Sequence, residues 1–369
     1  MAIPTALLRR GAAAALLAAG LAACGESGPS TFDPAATSAD VAAIDAAFAS
    51  PVFASFTMAD AEIDAVVGGG SSPVVVSAGA LRAARTGSAS AYAASLRKIL
   101  VSRSGTGASA MSASVAGIPT EVAGKTFVWD ATADRYVASD RPSVGATKVR
   151  FALYAIDPLT HLVAEPVNEI GYADLSDLSS GSTGEVRIEL FSGTTTTTKL
   201  VDYRVRATPS ASGGTITVSG FVSNGTTQAD FDLDNIVSLS ESNMSVTLDY
   251  GLSVPSRDVE VDFRLILAGA FESSLNLDLD YELAGPNGEV GITGGGVDGD
   301  AEFTVRVNGD EFATITTTET TITILGADGQ ALTAQEQEAL QRVFELFEAG
   351  YGTFADLLSP VGGMVGGDA

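Results

Sequence analysis

Four kinds of side chain in this sequence are capable of chemistry: clustered carboxylates, and a single histidine, tryptophan and cysteine in 369 residues. Asp298, Asp300, Asn308 and Asp310 form the best metal candidate, because the two neighbouring turns Asp298-Gly299 and Asn308-Gly309 carry the hard oxygen donors that Ca2+ takes. Their spacing is not that of an EF-hand loop, which sets ligands at alternate positions and closes with a glutamate at the twelfth. Asp278, Asp280 and Glu282 alternate along another stretch and share one face, which reads as a solvated sheet surface before it reads as a cation site. His161 stands alone, so a Ser-His-Asp triad or a two-histidine metal site lacks its parts within one chain. Its setting, Asp157-Pro158-Leu159-Thr160-His161, reads as a turn between strands with an exposed histidine. Trp129 lies in Thr126-Phe127-Val128-Trp129-Asp130, and Arg135-Tyr136-Val137 follows after a turn. That pattern is a first hairpin with Trp129 and Tyr136 opposite each other, a packing role before a platform for a sugar or lipid. The triplet Gly294-Gly295-Gly296 falls between strands rather than between a strand and a helix, so it is expected to relieve a bend or bulge, not to cradle phosphate. No catalytic constellation emerges.

The remaining reactive group, Cys24, ends an ordered N-terminal segment. Arg9 and Arg10 are basic. The run from Gly11 to Ala23 is rich in Ala and Leu, yet too short for the roughly 20 residues that span a bilayer. Leu21-Ala22-Ala23-Cys24 follows and resembles the lipobox of bacterial lipoproteins. The resemblance covers residues 1–24 only. It implies a signal peptide over residues 1–23, cleavage before Cys24, and a diacylglyceryl group on the Cys24 thiol. The arginine pair sits between Leu8 and Gly11 without the polar and aromatic neighbours of a twin-arginine signal, so general secretion is expected. Gly25 is not the aspartate that resembles an inner-membrane retention signal. The implied address is therefore the cell envelope, at the outer membrane, with the membrane itself as partner through the lipid.

Charge narrows the partners further. Without residues 1–23 the chain keeps 18 basic and 45 acidic residues, a net charge of −27. Such a body repels phosphate backbones, which excludes nucleic acid. With one cysteine there is no internal disulfide. A hydrophobic content of 46% is ample for a packed core, so a folded body is expected.

The elements that must position these residues divide the chain. Residues 24–37 read as the lipidated cysteine and a flexible tether, and residues 38–124 as a region of helices and loops. Thr37-Ser38-Ala39-Asp40 looks like a helix start, with Val41, Ile44, Ala47 and Phe48 on one face; Pro51 ends or bends that helix. A second helix is expected from Ala89 to Val101, and the Gly/Ser/Ala stretches at Gly68–Ser72 and Ser102–Gly117 are expected loops. Over residues 125–369 the period becomes two. Val186, Ile188 and Leu190 alternate with charged residues; so do Val201, Tyr203 and Val205, then Val246 to Leu252, Val259 to Leu267 and Leu275 to Leu283. Turn residues separate these runs at Ser212-Gly213-Gly214, Ser223-Asn224-Gly225, Pro286-Asn287-Gly288, Asn308-Gly309 and Asp328-Gly329, and Thr194 to Thr198 reads as another hairpin tip. About a dozen strands are expected between Lys125 and Leu325. Finally, Thr333-Ala334-Gln335-Glu336 resembles a capping box opening a helix over residues 334–349, with Leu340, Val343, Phe344 and Phe347 as its apolar stripe.

The expected fold is α+β, mainly β: a long antiparallel up-and-down meander curled into a barrel or half-barrel, with the N-terminal helices and the C-terminal amphipathic helix on its apolar face. Two functions compete. One is a non-enzymatic carrier whose curved sheet holds a lipid, an acyl chain or another lipoprotein's anchor. The other is a structural or adhesive surface lipoprotein with a packed interior and no ligand. They differ on whether the apolar face keeps a cavity. A transmembrane β-barrel is disfavoured by an aromatic content of 7%, too low for two aromatic girdles.

Overall fold

The computed structural model describes residues 34–59, 63, 66–67, 118–160, 162–240, 242–270, 274–297, 300–318, 321–334, 336–337 and 340. The expected helix at Ala89–Val101, the loops at Gly68–Ser72 and Ser102–Gly117, and the expected helical stripe beyond Leu340 lie outside them.

Among the described residues two helices precede the sheet. Helix α1 spans Pro34–Phe48 and α2 spans Pro51–Met58. The sequence places the start of α1 at Thr37–Asp40, but the helix is already formed there, so residues 34–37 of the expected tether are helical. A proline opens it at no hydrogen-bond cost, because the first helical N–H groups have no intrahelical partner. Asp40, expected to answer a cap, is buried instead and accepts hydrogen bonds from Asn287 Nδ2 at 3.2 and 3.4 Å. Pro51 does both jobs left open for it. It ends α1 and occupies the first turn of α2, whose N-cap Ser50 accepts from the Phe53 N–H at 3.2 Å.

Fifteen strands of the described residues then form one sheet in the order β15-β14-β13-β12-β11-β10-β9-β8-β7-β6-β5-β4-β3-β1-β2. They are β1 Thr126–Asp130, β2 Arg135–Ala138, β3 Lys148–Tyr154, β4 Glu169–Asp177, β5 Gly184–Ser192, β6 Thr198–Ser210, β7 Gly213–Ser223, β8 Gln228–Leu239, β9 Asn243–Val254, β10 Val259–Ala270, β11 Ser274–Gly285, β12 Gly288–Val297, β13 Asp300–Val307, β14 Asp310–Thr317 and β15 Ile322–Gly326. The sequence-expected strands fall on these strands and the described turns between them, except that Asp328-Gly329 follows the last strand and Asp298-Gly299 lies outside the described residues. From β3 to β15 each strand pairs antiparallel with the next, as expected of a meander. The exception is the first hairpin: β1 and β2 pair as expected, with Trp129 opposite Tyr136, but β1 then joins β3 in parallel through Thr126 and Phe127. The ladder through Gly294-Gly295-Gly296 runs without a shift on either side, so these glycines mark no bulge; they let neighbouring backbones approach where a Cβ would collide. The order leaves β15 and β2 as two edges that do not pair with each other, so no closed barrel forms.

One face of the sheet carries the core. Val259, Val261, Phe263, Leu265 and Leu267 of β10 are buried, while Glu260, Asp262 and Arg264 between them are exposed. Because α1 touches β7, β8 and β9 and α2 touches β3, β4 and β5, the helices lie across the strands on that buried face. Ala47 of α1 and Phe56 of α2 are fully buried, and so is Ile63 beyond them. Leu332 and Leu340 near the C-terminal end join the same core. The capping box before Leu340 forms as expected: Glu336 accepts from the Thr333 N–H at 2.7 Å, and the Glu336 N–H reaches Thr333 Oγ1 at 3.4 Å.

Three hydrogen bonds set the path of the helices. Asp40 meets Asn287 in the β11–β12 turn, the Ala46 carbonyl accepts from Asn224 Nδ2 in the β7–β8 turn at 2.7 Å, and Ser55 Oγ accepts from the Tyr154 N–H at the end of β3 at 3.0 Å. In an antiparallel meander the odd-numbered strands all run one way, so their C-terminal ends form a single rim, and α1–α2 follows it. Gly285 at that rim admits the Asp40 carboxylate, since a Cβ there would sit 2.7 Å from Asp40 Oδ2.

Truncating Phe56 to Ala removes a fully buried ring from the helix–sheet contact and is expected to cost about 3–5 kcal/mol in urea unfolding, whereas Met58→Ala, on a side chain 43% exposed, changes stability by less than about 0.5 kcal/mol.

Candidate functional site

The polar face divides by charge, and register is what brings its members together. One row of paired residues runs Arg187, Arg204, Ser219, Asp232, Gly251, Asp262, Glu282 across β5 to β11. The adjoining row runs Asp234, Asp249, Arg264, Asp280 across β8 to β11.

On β3 to β6 the acids are answered. Arg150 makes a bidentate pair with Asp174 at 2.6 and 2.8 Å, and its guanidinium lies 3.8 Å from the centre of the Tyr172 ring. Arg187 pairs in the same way with Asp202 at 2.8 and 2.7 Å, and Lys199 bridges Asp202 and the buried Glu189 at 2.7 and 2.6 Å. Burial pushes the Asp202 carboxyl up, but hydrogen bonds from Arg187 and Lys199 outweigh it and hold the group below the usual carboxylate range. Bidentate geometry and shared partners make this a rigid network rather than a set of loose surface pairs.

On β8 to β11 the acids are concentrated instead. Here an open groove of about 420 Å³ is floored by Gly251 and bordered by Asp230, Asp232, Asp249, Glu260, Asp262, Asp280 and Glu282. Gly251 explains the trough: on a row of side chains it contributes none, and a Cβ there would stand 3.0 Å from Asp232 Oδ1. Among the described residues Arg264 is the one cation lining the groove, 3.5 Å from Asp249 Oδ1, with both side chains well exposed and the pair correspondingly weak. Like charges therefore face each other. Burial, then Asp234 and Asp262, push the Asp232 carboxyl above its ordinary range; burial, then Glu289, Asp262, Asp280 and Glu260, do the same to Glu282. A groove of this kind attracts cations and repels anions.

Of the sequence-expected calcium residues, the three that are described are not brought together. Asp300 opens β13, while Asn308 and Asp310 lie beyond its far end, about 23 Å away at 3.3 Å per residue. Consecutive turns of a meander alternate between the two ends of the sheet, so neighbouring in sequence made them distant in space. Asn308 is occupied otherwise: it adopts a positive φ of 51° and its Oδ1 accepts from the Glu289 N–H at 2.9 Å. Asp298, His161 and Cys24 lie outside the described residues, among which no three acidic, histidine or cysteine side chains are arranged to hold a metal ion. Asp280 and Glu282 line the groove, and Asp278 lies two residues further along the same strand face. The groove's other members, Asp230, Asp232, Asp249, Glu260 and Asp262, were visible in the sequence only as the polar half of Asp230-Phe231-Asp232-Leu233, Leu248-Asp249-Tyr250 and Val259-Glu260-Val261-Asp262.

Trp129 packs edge-on against Tyr136 with ring centres 5.6 Å apart, the packing role expected of it. It also lines a second cleft, of about 310 Å³, with Asp134, Asp157, Leu162, Glu165 and Val167.

No protein-family model, no curated protein and no solved structure matches the chain. What the fold defines is a class only: a mainly β protein built on one open, largely antiparallel sheet.

Replacing Asp232 with Asn is expected to raise the melting temperature at pH 7. A carboxyl whose folded pKa is raised binds its proton more readily folded than unfolded, so its ionisation costs stability as pH rises above about 4. The gain should shrink as pH falls toward 4; a gain that is equal at pH 4 and pH 7 would argue against strain in the ionised groove.

Proposed function

We propose that the protein is a lipid-anchored cell-envelope protein with a packed interior, held by an acylated Cys24 at the outer membrane and working through its acidic outer face in a structural or adhesive role. The observation that carries this reading is the cover on the apolar face. A carrier of lipid or of another lipoprotein's anchor needs that face open, and here Ala47, Phe56 and Ile63 of the chain itself are fully buried in the core. The strands from β3 to β14 and the segment to Leu340 contribute to one continuous cluster, which supports a sheet curled as a half-barrel around its helices rather than around a ligand. The groove on the other face is open, acidic and short of cations of its own, suited to contact through a divalent ion or a basic surface. Anchoring is supported by the ordered basic, apolar and Leu21-Ala22-Ala23-Cys24 segments, and no described helix is long and apolar enough to cross a membrane.

Native mass spectrometry of the chain purified from a bacterial envelope is expected to give residues 24–369 plus acyl groups bonded to Cys24, with no other adduct. A lipid-sized adduct that organic extraction removes would revive the carrier and overturn the packed interior. A Cys24 without acyl chains would overturn the anchor.

A further inference from the structure

The loop joining β3 to β4 exposes apolar side chains that the fold has no use for. Leu159 is 88% exposed, Leu162 62% and Val167 42%, three of the eight large exposed hydrophobic side chains in the described residues. The loop is built, not frayed. At its base Ile156 bridges Val163, and the Asp157 N–H donates to the Leu162 carbonyl at 2.9 Å. At its tip Asp157 Oδ1 accepts from the N–H groups of Leu159 and Thr160 at 2.7 and 3.1 Å, which fixes the turn that carries Leu159 outward. Leu159, held away from the body by an ordered turn, forms a convex knob, with Leu162 beside it on the lip of the cleft that Trp129 lines.

The position of the loop says what the knob meets. It follows β3, so it lies on the rim formed by the C-terminal ends of the odd-numbered strands. Helix α1 enters along that same rim, with Asp40 seated at the β11–β12 turn. Pro34, the first residue of α1, is ten residues after Cys24, so chain of at most about 35 Å separates them even when fully extended. The chain that leads from the acylated cysteine thus joins the body at this rim. Tethering converts a weak apolar contact into an intramolecular one at high effective concentration.

We propose that this loop is a second membrane contact, in which Leu159 and Leu162 seat in the headgroup boundary of the bilayer that holds the Cys24 lipid; the assignment rests on the anchored reading above. With 18 basic and 45 acidic residues after residues 1–23 are removed, a net charge of −27, the surface it fits is zwitterionic rather than anionic.

The test uses the full lipidated protein in phosphatidylcholine vesicles. The sole tryptophan is replaced by Trp129→Phe and a reporter placed by Leu159→Trp, a position whose exposure makes it indifferent to folding. Flotation reads the anchor, and quenching by brominated acyl chains reads the loop. The expected result is a floating protein whose emission falls roughly twofold with brominated lipid, since an interfacial residue sits about 5–10 Å into the headgroup boundary, and which regains that emission when Leu162→Asp is added. A protein that floats with unquenched emission overturns the loop contact and leaves the anchor standing. One that does not float overturns both.

Discussion

A sheet of fifteen strands with one apolar face has to cover that face, and the rest of this structure follows from how it does so. Alternation with period two puts a stripe of Val, Leu, Ile, Phe and Tyr on the same side of strand after strand, an area that would otherwise stand in water at about 25 cal/mol for every Å². A closed barrel would hide it from within. Here the sheet stays open, and the chain's own helical segments are laid over it instead. Each contributes small or bulky apolar residues according to what lies beneath: Ala43 and Ala47 where α1 crosses β7 to β9, Phe53 and Phe56 where α2 crosses β3 to β5.

That cover is tied down at one rim by polar contacts rather than by packing alone. Asp40 with Asn287, Ala46 with Asn224 and Ser55 with Tyr154 are spread from β11 to β3, so they fix the direction of the helices relative to the strands as well as their depth. The hydrogen-bonding groups satisfied in this way sit at strand ends and turns, where the ladder itself leaves donors unpaired. The same rim carries the apolar β3–β4 loop, which gives the two ends of the sheet different characters.

The outer face shows the opposite economy. On β3 to β6 a network of Arg150, Arg187 and Lys199 neutralises Asp174, Glu189 and Asp202. On β8 to β11 acids crowd a trough floored by Gly251 with Arg264 alone among them. Like charges on adjacent strands are destabilising, so this half of the face is tolerated only because solvent screens it and the apolar face beneath is well packed.

Much of this was legible from the chain alone. Local periodicity is set by which residues adjoin, so β9, β10 and β11, the Trp129–Tyr136 hairpin, and the Thr333–Glu336 capping box could all be read directly. The N-terminal helix could be read too, but its first turn could not: Asp40 looks like a capping residue until the β11–β12 turn, nearly 250 positions away in sequence, claims it. Register and handedness of succession are long-range facts. They separated Asp300 from Asn308 and Asp310, two turns that look adjacent in sequence but lie at opposite ends of a strand. They also gathered Asp232, Asp262 and Glu282 from three strands into one row, and joined β1 to β3 in parallel. Sequence by itself determined which residues are strand, turn and polar or apolar face, because those depend on neighbours a few positions apart. Only the tertiary structure decided that the sheet stays open, which strands each N-terminal helix crosses, and which carboxylates meet, because these depend on pairing between residues that the linear order keeps far apart.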